Sequence, residues 1–212
     1  MAHKLQRFMV GPLQENCYLL ADDDSRRAVL IDPGDEAELL LAALAEHDYL
    51  LGAVWLTHAH FDHVGALAKI LATHDVPFFM HRDDELNLSR AAAAGAAWGV
   101  PIEQPPTDYQ PLTGGQTLDV AGLQARCLFT PGHAPGHISF YFEAAKMVIA
   151  GDALFRGSIG RTDLPGGDHA QLLESIRLQL LTLPGDTTVY PGHGPETTIG
   201  FEARNNPFLK DA

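Results

Sequence analysis

The sequence contains few cysteines, few basic residues and no long hydrophobic segment, and each scarcity excludes a class of protein. Its 212 residues include only two cysteines, Cys17 and Cys127, which are too few for a disulfide-stapled secreted domain. There are 14 lysines and arginines against 27 aspartates and glutamates, which gives a net charge of −13. A surface this acidic repels phosphate backbones and anionic lipids, so we expect neither a nucleic-acid partner nor a membrane partner.

Hydrophobic segments in the chain are short. None approaches the roughly 20 apolar residues that a membrane-spanning helix needs. Near the N-terminus, Lys4 and Arg7 precede a few apolar residues, but Gly11 and Pro12 interrupt them before the core of a signal peptide can form. We therefore expect a cytoplasmic protein. The sequence gives no indication of its oligomeric state.

Strand-like and helix-like segments alternate along the chain. The apolar patterns predict strands over residues 5–10, 16–21, 27–31, 51–58, 77–81, 114–120, 123–130, 139–143, 147–150 and 187–193. They predict helices over residues 36–48, 61–74, 83–99 and 169–183, with Asp35 and Asp168 as the N-terminal caps of the first and last. This order favours an α/β fold in which two sheets pack together with helices outside. We expect one domain that spans residues 1–212.

Histidine is abundant: the chain has eleven, nearly as many as its lysines and arginines together. The segment THAHFDHVG, residues 57–65, holds four metal-ligand side chains, which are His58, His60, Asp62 and His63. It follows a predicted strand, and residues two apart in an extended loop point to the same side, so His58 and His60 can bind one ion. Asp62 and His63, at the start of the next helix, would face a second point nearby.

Three further candidate ligands occupy similar positions. His133 in TPGHAPGH, Asp152 in VIAGD and His193 in YPGHGP each follow an apolar strand and stand next to a glycine-containing turn. Strand ends gathered at one edge of a sheet would bring all seven side chains together. Imidazole and carboxylate groups without a thiolate form the ligand set expected for Zn(II), Fe(II) or Mn(II). The sequence therefore predicts a metal site.

Taken together, these motifs resemble the metallo-β-lactamase superfamily over nearly the whole chain; the DPG turn at residues 32–34 matches as well. The resemblance implies a four-layer αββα sandwich with two divalent ions at one edge of the two sheets. Zinc is the expected ion, and the same ligands accept iron(II) or manganese(II). The resemblance assigns His58, His60 and His133 to the first ion, Asp62, His63 and His193 to the second, and Asp152 to both. It also implies that Asp62 and Asp152 are catalytic, because they orient the attacking hydroxide.

The segment GDALFRGSIGRTD, preceded by PGHISF, narrows the resemblance to type II glyoxalases, which are hydroxyacylglutathione hydrolases, and most closely to their compact bacterial subgroup. The bridging aspartate and the lack of a cysteine ligand argue against the common zinc β-lactamases. The implied substrate is a small-molecule thioester, S-lactoylglutathione, which is cleaved to lactate and glutathione. A thioester suits such a site, because a thiolate with a pKa near 8.5 leaves with little help from a general acid.

Arg161 lies where the resemblance implies a basic residue that meets a glutathione carboxylate. The alternative is a surface arginine paired with Asp163, as isolated charges are usually solvated. Larger glyoxalase II enzymes have a C-terminal helical domain that helps to bind glutathione. We expect this protein to lack that domain, so those contacts are not carried over.

Other functions fit parts of the pattern. Glutathione persulfide dioxygenases resemble this sequence in the RTD segment and the HxHxDH-type motif, but they use a single iron. Another thioester, a lactone or a phosphodiester is an alternative substrate, although the net charge counts against the last. A metal-stabilised binding module without catalysis would lack at least one ligand, and all seven are present. We expect His137 to make a structural hydrogen bond or to orient a ligand.

Overall fold

Two six-stranded sheets form the centre of the structure, a computed structural model that describes residues 3–120 and 122–210. The strands of the first sheet are β1 (His3–Val10), β2 (Glu15–Asp22), β3 (Arg27–Ile31), β4 (Leu50–Trp55), β5 (Phe78–His81) and β6 (Gln110–Leu112). They lie side by side in chain order. The first three strands are antiparallel, and β3 to β6 pair in parallel.

The later strands are β7 (Thr117–Val120), β8 (Leu123–Phe129), β9 (Ile138–Phe142), β10 (Met147–Gly151), β11 (Leu154–Phe155), β12 (Ser158–Ile159), β13 (Thr188–Pro191) and β14 (Thr197–Thr198). The second sheet has the order β14-β13-β10-β9-β8-β7, and β11 pairs with β12 in a small separate hairpin. β7 and β8, which correspond to the strands predicted over residues 114–120 and 123–130, pair in antiparallel orientation. Ala121, between them, lies outside the described residues.

The helices are α1 (Ala37–Glu46), α2 (Phe61–Val64), α3 (Leu67–Thr73), α4 (Glu85–Ser89), α5 (Ala91–Ala97), α6 (His169–Ser175) and α7 (Ile199–Asn205). A π-helical segment, Ile176–Leu180, continues α6, and short 3₁₀ turns occur at Arg82–Asp84, Glu143–Ala145 and Pro207–Leu209. None of the helices in the described part of the chain is long and apolar enough to cross a membrane.

Hydrophobic side chains sort into three clusters that define four layers. Between the sheets, the ring of Trp55 packs against Phe140 and Phe142, at centroid distances of 5.3 and 6.4 Å. Side chains alternate along a strand, so in β2 Leu20 joins this interior while Leu19 packs under the helices of the first half. A third cluster joins α6 to the outer face of the second sheet. The layers are therefore helix, sheet, sheet and helix, which confirms the predicted αββα fold.

Two predicted helix caps had different outcomes. The prediction that Asp35 caps α1 was wrong: α1 begins after Glu36, which has a left-handed backbone with φ 51° and makes no side-chain cap. The Asp35 carboxylate instead accepts a 2.6 Å hydrogen bond from the amide of Glu36, so it is used locally. Asp168 caps α6 as predicted, because its side chain accepts a 3.0 Å hydrogen bond from the amide of Gln171.

Several predicted boundaries were also wrong because tertiary contacts interrupt the local pattern. The helix predicted over residues 61–74 is split into α2 and α3, where the amide of Ala66 donates to the carbonyl of Pro33. The helix predicted over residues 83–99 is split into α4 and α5 at Arg90. The strand predicted over residues 51–58 ends at Trp55, because the chain then turns and the amide of Thr57 donates to Asp32. β14 follows the segment predicted as the last strand.

Candidate metal centre

All seven predicted ligands meet at one edge of the sandwich, where strands from both sheets end. His58, His60, Asp62 and His63 follow β4 in the first sheet. The other three ligands follow strands of the second sheet: His133 after β8, Asp152 directly after β10, and His193 after β13. The site therefore lies across the two halves of the chain.

His58, His60 and His133 form one compact group. Nδ1 of His60 lies 2.9 Å from Nε2 of His133, and Nε2 of His133 lies 3.2 Å from Nε2 of His58. One ligand atom from each residue falls within 4.8 Å of the other two, so a single ion can be held by all three.

Asp62, His63 and His193 form a second group, and Asp152 lies between the two. Nε2 of His193 is 3.3 Å from Oδ2 of Asp62. The Asp152 carboxylate is 3.5 Å from Nε2 of His63 through Oδ1. Through Oδ2 it is 3.5 Å from Nε2 of His133 and 3.6 Å from Nε2 of His193. One carboxylate therefore contacts members of both groups.

Hydrogen bonds on the far side of the rings orient four of the histidines. Nδ1 of His133 faces the carbonyl of Arg161 at 2.8 Å, and Nδ1 of His193 faces the carbonyl of Leu13 at 3.2 Å. Nδ1 of His63 faces Oδ2 of Asp32 at 3.1 Å, and Nδ1 of His58 faces the hydroxyl of Thr57 at 3.0 Å. Donation from each Nδ1 leaves the lone pair of Nε2 directed into the centre, as in histidines that bind metals.

The donor atoms fit divalent cations. The Nε2 atoms of His58 and His133 lie 3.2 Å apart, and their lone pairs point toward each other. This arrangement is repulsive unless a cation lies between the two atoms. Nε2 of His63 and Oδ1 of Asp152 are buried and have no hydrogen-bond partner within residues 3–120 and 122–210. Buried polar atoms are rarely left unpaired, so these orphans indicate an ion. The centre is a metal-binding site.

Burial and neighbouring charges set the protonation of the ligands. Burial lowers the pKa of His58 well below its usual range, and burial with the nearby His133 lowers the pKa of His60 to about 3, so both imidazoles are neutral. Burial would raise the pKa of Asp152, but its contact with the His63 imidazole lowers that pKa and keeps the carboxylate ionised. Neutral imidazole and ionised carboxylate are the forms that coordinate metals.

Asp32 supports the centre from behind, a role that the sequence did not reveal. Oδ1 accepts a 2.7 Å hydrogen bond from the amide of Thr57, and Oδ2 accepts a 2.6 Å bond from the Thr57 hydroxyl and faces His63. Asp32 also lies near His58 and His63 in a geometry that could hold a metal. Its two oxygens already have partners, so we regard it as an orienting group. The only sequence signal was its position in the DPG turn.

Asp84 is a second supporting carboxylate that the sequence analysis missed. It is fully buried, and Oδ2 accepts a 2.6 Å hydrogen bond from the amide of Ala59, between His58 and His60. Oδ1 accepts a 3.0 Å bond from the amide of Gly136, in the loop of His133. Asp84 therefore ties two ligand-bearing segments together. In sequence it stands in the polar run RDDE, which is typical of an exposed turn.

Glu15 is a third buried acid near the centre. Oε1 lies 3.7 Å from Nδ1 of His63, and burial raises the pKa of Glu15 well above its ordinary value. Both of its carboxylate oxygens are buried without a hydrogen-bond partner in the part of the chain that the structure describes. An acid at the first position of a strand gives no sequence signal of such burial.

His137 and Gly151 position the backbone of Asp152. Nε2 of His137 accepts a 3.1 Å hydrogen bond from the amide of Asp152, and Nδ1 lies 2.8 Å from the hydroxyl of Thr130. Gly151 has φ 48°, and a Cβ atom there would lie 2.5 Å from Oγ1 of Thr57. The GD pair thus requires glycine before the aspartate. His137 makes the structural hydrogen bonds that the sequence led us to expect.

A cleft of about 480 Å³ opens over the centre. Besides the ligands it is lined mainly by apolar side chains, which are Leu13, Phe61, Trp98, Phe155, Ile159 and Leu164. Arg161 also lines the cleft, and its guanidinium forms a forked ion pair with Asp163 at 2.8 and 2.7 Å. The ion pair is the arrangement that the sequence offered as the alternative for Arg161. Contact of Arg161 with a substrate stays a prediction.

The four-layer fold and its cluster of histidines and aspartates define a metallo-hydrolase. The sequence matches the profile of the metallo-β-lactamase superfamily over residues 10–193, and the chain belongs to that superfamily.

Known relatives cover nearly the whole chain. Hydroxyacylglutathione hydrolase GloC of Haemophilus influenzae is 40% identical over 202 residues, which are 94% of this chain and 95% of that protein. The crystal structure of TTHA1623 in a di-iron-bound form has a TM-score of 0.90 at 48% identity and covers 96% of this chain and 100% of that one. BLEG-1, a B3 metallo-β-lactamase, has a TM-score of 0.90 at 41% identity, with 98% and 100% covered.

Proposed function

We propose that this protein is a cytoplasmic thioester hydrolase that cleaves S-lactoylglutathione to lactate and glutathione, within one domain spanning residues 1–212. The observation that carries the proposal is the position of Asp152, whose carboxylate lies within 3.6 Å of histidines from both ligand groups. Such an arrangement suits two ions that act on one substrate bond. The relative GloC, named as a hydroxyacylglutathione hydrolase, supports the choice of substrate.

In this proposal His58, His60 and His133 hold one ion, Asp62, His63 and His193 hold the other, and Asp152 binds both. The distances within each group and the unpaired atoms of His63 and Asp152 support this division. The di-iron form of TTHA1623 supports two ions rather than one. We propose zinc as the resident ion, with iron(II) or manganese(II) as metals that the same nitrogen and oxygen donors accept.

Two ions held in this way supply Lewis acidity at the carbonyl oxygen and lower the pKa of a water molecule. The chain's own residues provide the geometry. Asp62 and Asp152 border the cleft as ionised carboxylates, so they can accept a hydrogen bond from the attacking water and orient it. The apolar walls limit the access of bulk water to the reacting bond. The leaving thiolate needs no proton donor, because its pKa is only about 8.5.

Thiol release from S-lactoylglutathione tests the proposal. The purified protein would be stripped of metal, loaded separately with zinc, iron(II) or manganese(II), and assayed with a thiol reagent. We expect rapid release that a chelator abolishes. The absence of release with all three metals would refute the proposed substrate. Oxygen uptake with glutathione persulfide, together with a single iron per chain, would show that the protein is a dioxygenase and not a hydrolase.

β-Lactam hydrolysis is a second candidate, and the likeness to BLEG-1 favours it. A β-lactam carbonyl could meet the same centre through the same open cleft. Hydrolysis of a chromogenic cephalosporin, measured in parallel on the same metal-loaded samples, decides between the two. A higher kcat/KM for the cephalosporin than for the thioester would make the lactam the preferred substrate.

A further inference from the structure

The walls of the cleft are apolar, whereas its floor is polar. The floor carries the polar ligands, whereas the walls are formed by Leu13 from the β1–β2 turn, Phe61 and Trp98 from the first half, and Phe155, Ile159 and Leu164 from the second. Trp98 follows α5 and is 52% exposed, although its ring packs 6.1 Å from Phe61. A large aromatic side chain held beside a metal centre with half of its surface uncovered offers a ready contact for an apolar ligand.

The cleft offers little to a charged group. Arg161 is the only lysine or arginine that lines it within residues 3–120 and 122–210. Its Nε and Nη2 atoms are bound to Asp163, and its guanidinium lies 5.5 Å from the centre of the Trp98 ring. The amide nitrogen of Asn87, another polar lining group, donates to Asp84 at 3.1 Å. A carboxylate that packed against these walls would lose its water without gaining an unpaired lysine or arginine.

We infer that the cleft selects a thioester whose acyl group is apolar, and an aromatic acyl group above a small hydroxyacyl group such as lactoyl. The inference rests on the proposed function and specifies its substrate class. The two sides of the thioester bond then have separate environments. The acyl group packs against Phe61, Trp98 and Leu164, and the glutathione carboxylates extend through the open mouth into solvent, where they stay hydrated.

Binding of two inert thioethers tests the inference without any turnover. S-Methylglutathione and S-benzylglutathione differ by one phenyl group and contain no bond that the enzyme can hydrolyse. Isothermal titration calorimetry on the metal-loaded protein should give S-benzylglutathione a Kd lower by about tenfold, since a hydrophobic pocket discriminates groups of this size by roughly that factor or more. Trp98→Ala should remove most of the difference in Kd between the two thioethers, and Trp98→Phe should retain that difference.

Leu178→Ala is the matched control, because Leu178 is an exposed apolar residue, 60% accessible, that does not line the cleft. It should bind both thioethers as the unaltered protein does. Equal affinity for the two compounds, including no measurable binding of either, would overturn the inference. A preference for S-benzylglutathione that is unchanged in Trp98→Ala would also overturn the inference.

Turnover of S-phenylacetylglutathione and S-lactoylglutathione on the same preparations separates this inference from the proposed function. A higher kcat/KM for the phenylacetyl compound, lowered selectively by Trp98→Ala, supports the inference. A higher value for the lactoyl compound overturns it and leaves the hydrolase intact. If neither compound releases thiol, the proposed hydrolase activity is refuted. The calorimetric comparison of the two thioethers then still shows whether the walls of the cleft select an apolar group.

Discussion

Asp152 connects the two groups of ligands more directly than any other side chain of the centre. Its carboxylate contacts His63 through one oxygen, and His133 and His193 through the other. Its backbone is fixed on the opposite side, where its amide donates to His137. The loss of this one carboxylate would therefore weaken both groups together, whereas the loss of a single histidine affects one.

We predict that Asp152→Asn lowers the bound metal well below two ions per chain and reduces thioester hydrolysis more than 100-fold. Mutation of residues that merely hydrogen-bond to metal ligands already lowers metal affinity or activity about 10–100-fold, and loss of a ligand should cost more. Elemental analysis and a kinetic assay measure the two effects. Asp186→Asn is the control, because Asp186 is an exposed aspartate that pairs with Lys146 at 2.6 Å. Full activity with two ions in Asp152→Asn would refute the bridging assignment.

Arg161 has a divided role, because it lines the cleft while its charge is bound to Asp163. We predict that Arg161→Ala raises KM for an anionic thioester by about three- to fivefold and leaves kcat unchanged. Loss of this cation makes the cleft more negative, which weakens uniform binding of an anion by at most about 1 kcal/mol without any direct contact. Arg156→Ala is the control, since the guanidinium of Arg156 lies over Phe201 instead of in the cleft. An unchanged KM would show that Arg161 does not contribute to substrate binding and only forms its ion pair with Asp163.

At the scale of elements, the centre depends on segments that carry no ligand of their own but tie the ligand-bearing loops together. Asp84, at the end of a short 3₁₀ turn before α4, accepts hydrogen bonds from the amides of Ala59 and Gly136. Asn16 in β2 reaches the other sheet, and its amide nitrogen donates to the carbonyls of Pro191 and Gly194 on either side of His193. These bonds set the distance between loops from the two halves.

Asp84→Asn should weaken metal binding about 10–100-fold, because one of the two backbone amides would then face an NH₂ group. Competition with a chelator of known affinity measures the change, and circular dichroism checks that the fold is retained. Asp83→Asn, a change at an exposed neighbour, should have no such effect. Equal metal affinity in Asp84→Asn and Asp83→Asn would contradict the role of Asp84.

The elements differ in how well the sequence predicted them. Strands with continuous or alternating apolar residues, such as β3 and β9, were predicted to within a residue at each end. Helix ends near the centre were predicted poorly: the break between α2 and α3 follows from a bond between Ala66 and Pro33, residues far apart in sequence. Four of the seven ligand candidates were recognisable because they cluster within residues 57–65, and the other three because glycine-containing turns after apolar strands mark them. Asp84 and Glu15 were not, because burial of an acid depends on what packs over it.

At the scale of the whole molecule, the ions should stabilise the fold. They bind a site that exists only when both sheets are in place, so at a free concentration of about 100 times Kd each ion adds about 2.7 kcal/mol to the free energy of unfolding. For a chain of this size, removal of each ion should lower Tm by about 5–10 °C, so a chelator that removes both should lower it by about 10–20 °C. Differential scanning calorimetry with and without a chelator measures the shift.

The same chelator saturated beforehand with zinc is the control for that experiment on the zinc-loaded protein and should leave Tm unchanged. The Tm of Asp152→Asn should respond less to the free chelator, because this variant begins with less metal. An identical Tm for the metal-loaded and the stripped protein would contradict a stabilising role of the ions.

The position of the ligands in the chain also determines when the centre can form during folding. His60 and His133 face each other across 73 positions of sequence, and one follows a strand of the first sheet while the other follows a strand of the second. Contacts of such long range form late, after the slower pairing of distant strands. We therefore expect metal uptake to be a late step of folding, because a newly made chain that has docked its two halves wrongly has no complete site in which to retain an ion.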